Sequence, residues 1–167
     1  MDTIRDYATY AAIIGAAATA TTDLWAIARK RFLGTPPPNY ALVGRWIAYF
    51  PRGRFSHDSI AASPPLSGER VVGWITHYAV GMSFAALLLV ICGIEWVRHP
   101  SLVSALAVGI GTVAAPFLVM QPGMGAGIAA SRTPRPGAAR IQSLLTHTVF
   151  GLGLYVAGLT LNLFLTH

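Results

Sequence analysis

The stretch IQSLLTHTVFGLGLYVAGLTLNLFL, Ile141–Leu165, decides the fold, because it carries no formal charge from end to end. A hydrocarbon core about 30 Å thick is crossed by about 20 apolar residues in a helix rising about 1.5 Å per residue. Ile141–Leu165 is long enough, and three more runs meet that length. They are Tyr7–Ala28, interrupted by Asp23; Val71–Val97, with Glu95 near its end; and Leu102–Met120, with Pro116 inside. Lipid cannot hydrogen-bond an open backbone, so each run must be helical. The expected fold is all-α: an integral membrane bundle of four transmembrane helices, about 7–28, 71–97, 102–120 and 141–165, forming one transmembrane domain over 1–167.

Composition agrees. Of 167 residues, 54 % are hydrophobic and 11 % charged, against about 25 % charged in a soluble domain. Mean hydropathy is +0.56. A soluble globular enzyme, a disordered tail and a disulfide scaffold are excluded. Cys92, the one cysteine, reads as a buried packing residue. The net charge of +6 does not point to nucleic acid, because the basic residues flank apolar runs, as Arg29-Lys30-Arg31 does. It reads as a topology signal and as contact with the lipid bilayer and its anionic headgroups.

Ten basic residues (Arg29, Lys30, Arg31, Arg45, Arg52, Arg54, Arg70, Arg132, Arg135, Arg140) fall on one side of the four runs, against Arg5 and Arg98 on the other. The positive-inside rule then places both termini outside. The leader Met1–Asp6 holds two acids and one base, unlike a signal peptide. The first run is therefore expected to be a retained helix.

Between the first two runs, Pro36-Pro37-Pro38 stops the chain and Tyr40–Phe50 follows. Leu42, Val43, Trp46, Ile47 and Phe50 share one helical face. The segment 40–50 is expected to be an amphipathic helix, either in the headgroup layer, with Arg45, Trp46, Arg52 and Arg54 meeting lipid, or packed on the protein's own surface. Gln121–Ala130 is apolar and Gly-rich. It lacks the Lys-Ser/Thr of a phosphate loop and reads as a tight turn or re-entrant segment. His57-Asp58, flanked by Ser56 and Ser59, offers an acid–base pair, but adjacent side chains point apart and His57 is expected to be solvated in a turn, so support for catalysis is thin.

Ile75-Thr76-His77-Tyr78-Ala79-Val80-Gly81 and Leu145-Thr146-His147-Thr148-Val149-Phe150-Gly151 match at Thr, His and Gly. This suggests two repeated helical hairpins. Asp23 lies about 7.5 Å from its helix end, and His77 and His147 about 9 Å from theirs. Helix alternation brings these ends to one membrane face, where Gln121 also falls. Polar groups at such depth have a structural or functional reason. Asp23, His77, His147, Thr76, Thr146 and Gln121 are therefore the candidate site.

Several readings stand open. In one, the cluster holds the bundle together as hydrogen-bonded glue. In another it takes a proton, a small solute or a metal ion, the metal on His77, His147 and Asp23. In a third, His77 and His147 are axial ligands of a b-type haem, with Gly81 and Gly151 giving the porphyrin room and Arg70, Arg132 and Arg140 meeting its propionates. A transport-like role is the leading expectation. An accessory subunit of a membrane complex, or a homo-oligomer packed through Ala12, Ala16, Ala20, Gly153 and Ala157, is the other class.

Tyr40–Trp46, Pro51–Phe55, Gln121–Ser131, His147–Tyr155 and Asp23-Leu24-Trp25 resemble a bacterial family of small membrane proteins, domain-of-unknown-function family 2938. The resemblance spans nearly the whole chain. It implies a complete single-domain protein of the bacterial inner membrane, and no activity, cofactor or catalytic residue.

Overall fold

A computed structural model describes residues 4–166; the first three residues of the leader and His167 lie outside the described residues. The elements in order are α1 (Ile4–Leu33), α2 (Tyr40–Ala48), α3 (Glu69–Cys92), α4 (Leu102–Gly111), α5 (Gln121–Gly123) and α6 (Pro136–Thr166), with short tight turns between them. Among the described residues, four helical spans are long and apolar enough to cross a membrane: Ile4–Leu33, Glu69–Cys92, Leu102–Gly123 and Pro136–Thr166.

The ends differ from expectation for local reasons. α1 runs on to Leu33 because Arg and Lys extend a helix readily; Gly34 then takes φ 65° and Thr35 N–H reaches back to Arg29 O, a left-handed cap. α3 stops at Cys92 and not Val97, because Gly93 at φ 77° turns the chain into the tight turn Ile94–Val97. Cys92 is exposed, not a packing residue. α6 begins earlier than the apolar run, at Pro136, where a proline's missing N–H costs nothing. In the third span Pro116 opens a π-helical turn, Pro116–Met120, since a proline removes one hydrogen bond of the regular helical ladder.

The chain divides into two compact units. The first comprises the chain up to Pro37, Tyr78–Thr112 and the chain from Leu145 onward. Its core is Ala11, Ile14 and Ala18 of α1, Ala85, Leu88 and Leu89 of α3, Trp96, Val97, Ala105 and Val108, and Phe150 and Leu154 of α6. The second comprises Pro38–His77 and Val113–Leu144. Its core is Trp46, Tyr49 and Ile60, with Leu42, Ile47, Phe50, Leu66, Met120 and Met124 against them.

In this second unit α2 lies on the protein itself. Gly44 packs on the Glu69 carbonyl and Gly73 on the Tyr40 carbonyl, so closely that a Cβ at either would strike backbone. The loop after α2 is tied to the Gly-rich segment by His57 N–H to Gly123 O and Ile60 N–H to Met124 O.

Candidate functional site

In the first unit, α1 and α3 meet at glycines. Gly15 lies on the backbone of Gly81 and Met82, and Gly81 on the Thr19 side chain. Thr19 turns its hydroxyl back to the Gly15 carbonyl at 2.7 Å. This close approach lets Tyr78 O–H donate to the Asp23 carboxylate at 3.0 Å. α1 continues to Leu33, ten residues or about 15 Å beyond Asp23.

The α4–α6 contact repeats the design. Gly109 lies on Gly151 and on the His147 carbonyl, and Gly151 lies on Ala105 and Leu106. Thr112 O–H donates to Gly109 O at 2.7 Å. His147 Nδ1 lies 3.1 Å from Thr112 Oγ1 and 3.1 Å from Gly109 O. A carbonyl can only accept, so Nδ1 carries the proton and Nε2 is the basic nitrogen. Gly81 and Gly151 thus give their space to neighbouring helices. The porphyrin room expected beside them is taken up by helix packing.

The second unit holds His77 and Gln121. The His77 ring stacks on Tyr40 with centroids 4.1 Å apart and meets Trp74 edge-on at 5.8 Å. Gln121 Nε2 makes a long 3.5 Å contact to Ser143 Oγ, and its Oε1 is buried with no partner. Thr76 and Thr146 are half-buried. Among the described residues no group of three or more His, Cys, Asp or Glu is placed to hold a metal ion.

Arg45 and Trp46 have protein partners in place of the headgroup contacts expected of them. Arg45 forms a two-pronged ion pair with Glu69 and donates to the Ser63 carbonyl at 2.8 Å. The pairing with Glu69 holds its guanidinium charged more firmly than usual. Trp46 is buried, donates Nε1–H to Phe55 O at 2.8 Å and packs on Gly123. Arg52 and Arg54 are exposed, each over the Tyr49 ring at 5.6 Å.

His57 is 5 % exposed, so its expected solvation is corrected. Its Nδ1 lies 2.8 Å from Ser63 Oγ, while Ser63 O–H is directed at Ser59 O; Nδ1 therefore donates. Nε2 is buried with no partner. Burial, and then the Arg54 charge, push its pKa down, against a smaller opposing pull from Asp58.

Sequence reasoning passed over Tyr78, Thr112, Glu69 and Ser63. Tyr78 follows His77 directly and Thr112 precedes Pro116 by one turn, so both stood beside flagged residues. Nothing local marks Glu69 or Ser63. A cavity of about 230 Å³ lies elsewhere in the first unit, lined by Asp6, Tyr10, Glu95 and Arg98 among others, and contains none of the expected site residues.

No curated protein and no solved structure matches the chain. One family model does, over residues 12–161. The chain belongs to that family, described as proteins of unknown function (DUF2938).

Proposed function

We propose that this is a multi-pass protein of the bacterial inner membrane, both termini outside, whose intramembrane polar groups handle a proton or a small polar solute from the cytoplasmic side. The contact from Tyr78 O–H to Asp23 carries this reading. A carboxylate in an apolar span is costly when ionised, and a donor beside it lowers the cost while leaving it able to exchange a proton. His147, protonated at Nδ1 and basic at Nε2, is a second group of the same kind. The filled glycine contacts at Gly81 and Gly151 count against a haem.

The test is proton flux into liposomes holding the purified protein and an internal pH dye, under an imposed membrane potential. Wild type should exceed empty liposomes. Asp23→Asn should cut the flux about a hundredfold, the lower end of what general acid–base groups contribute; Tyr78→Phe, which leaves the acid in place, should cut it less. Wild-type flux no greater than that of empty liposomes, for protons and for small polar solutes alike, would sink the proposal in favour of an accessory subunit.

A further inference from the structure

Arg29 lies in α1 and is 6 % exposed. Its Nε is buried without a hydrogen-bond partner, and so is the indole Nε1 of Trp25. The two stand one helical turn apart on one face of the helix, with the guanidinium carbon 5.9 Å from the Trp25 ring centroid. Arg29 takes no part in the ion pairs of Arg45 with Glu69 and of Arg98 with Glu95. Both orphan groups are donors only. What they lack is an acceptor, and one of them carries a permanent charge. Water could satisfy the indole N–H, but it would leave the buried Nε of a charged group without an anionic acceptor.

We propose that Arg29 and Trp25 form the donor side of an oxyanion site that takes a phosphate group. The guanidinium fork matches two oxygens of a phosphate, and the indole N–H supplies a further donor. The Trp25 face holds the guanidinium by cation–π attraction. Position favours phosphate over other anions. α1 has 30 residues, about 45 Å of helix against a core of about 30 Å, and its apolar run ends at Ala28. Placing the hydrocarbon boundary at the end of that run puts Arg29 at the level of the phospholipid phosphates. Free phosphate from the adjoining aqueous phase offers the same chemistry. The site is independent of Asp23 and His147.

The experiment is a titration of full-length, lipid-depleted protein in a neutral detergent, at fixed ionic strength, with inorganic phosphate or with dihexanoylphosphatidylglycerol. It reads thermal unfolding and tryptophan fluorescence. At least one probe should raise the unfolding temperature of wild type. A response to inorganic phosphate assigns a free anion, and a response to the lipid alone assigns a headgroup. Arg29→Gln should weaken the apparent affinity roughly tenfold, as loss of charge-assisted hydrogen bonds does, while Arg31→Gln should leave it unchanged. If Arg29→Gln does not fold, Trp25→Phe serves: it should weaken binding and abolish the fluorescence change. No response of wild type to either probe overturns the proposal. So does equal affinity in Arg29→Gln, equal weakening in Arg31→Gln, or unchanged binding in Trp25→Phe.

Discussion

Arg45 and Glu69 meet as a fork: Nε donates to Oε2 and a terminal nitrogen to Oε1, both at 2.8 Å. Their side chains are only 11 % and 16 % exposed. Glu69 also accepts from Leu66 N–H, and Arg45 donates to the Ser63 carbonyl. One ion pair therefore fastens α2, the loop behind it and the first turn of α3. Removing one partner strands the other charge. Glu69→Gln should cost about 3 kcal/mol, and Arg45→Met with Glu69→Met together much less than the two single changes summed. Thermal unfolding in detergent checks this; additive losses would show the pair to be uncoupled.

His57 gives the second unit a pH dependence. Its folded pKa is depressed, so the unfolded chain binds its proton first as pH falls. The stability it contributes is present above the unfolded value of about 6.5 and is lost as pH drops below it. The backbone bonds from His57 and Ile60 to Gly123 and Met124 should then loosen. Hydrogen exchange over 53–63 should accelerate from pH 7.5 to 5.5 beyond the intrinsic change. Equal protection at both values would contradict the prediction.

The crossings at Gly15 and Gly109 are backbone contacts, so they tolerate no side chain. Gly109→Ala would drive a methyl group into Gly151 and the His147 carbonyl, while Gly111 has open space around it. Gly109→Ala should lose about 2 kcal/mol, the middle of the overpacking range. Gly111→Ala should be neutral or slightly stabilising, since alanine is the better helix former. Comparison of the two melting curves decides it.

Topology is open to a direct measurement. A periplasm-active reporter joined at the C-terminus should be active, and one inserted at Gly53 should be silent, because ten basic residues lie on the loop side against two opposite. The reverse pattern would invert the orientation.

Length and hydropathy alone settled the four spans, because a bilayer demands about 20 apolar helical residues and little else can satisfy it. The family was legible in motifs spread along the chain. The repeated Thr-His-x-x-x-Gly in α3 and α6 also carried physical content, since each glycine marks a helix crossing: Gly81 against α1 and Gly151 against α4. Tertiary structure decided the rest. An amphipathic pattern at Tyr40–Phe50 says that one face is buried and not what buries it. Ile60, Leu66, Met120 and Met124 cover that face, and the ion pair of Arg45 with Glu69 fastens the helix beside it. His57 looked solvated because its neighbours are polar, yet the Gly-rich segment far along the chain covers it. Asp23 and His147 announced themselves as polar groups in apolar helices. Their partners Tyr78 and Thr112 depended on which helix faces meet, and side-chain packing across distant segments fixes that, not local propensity.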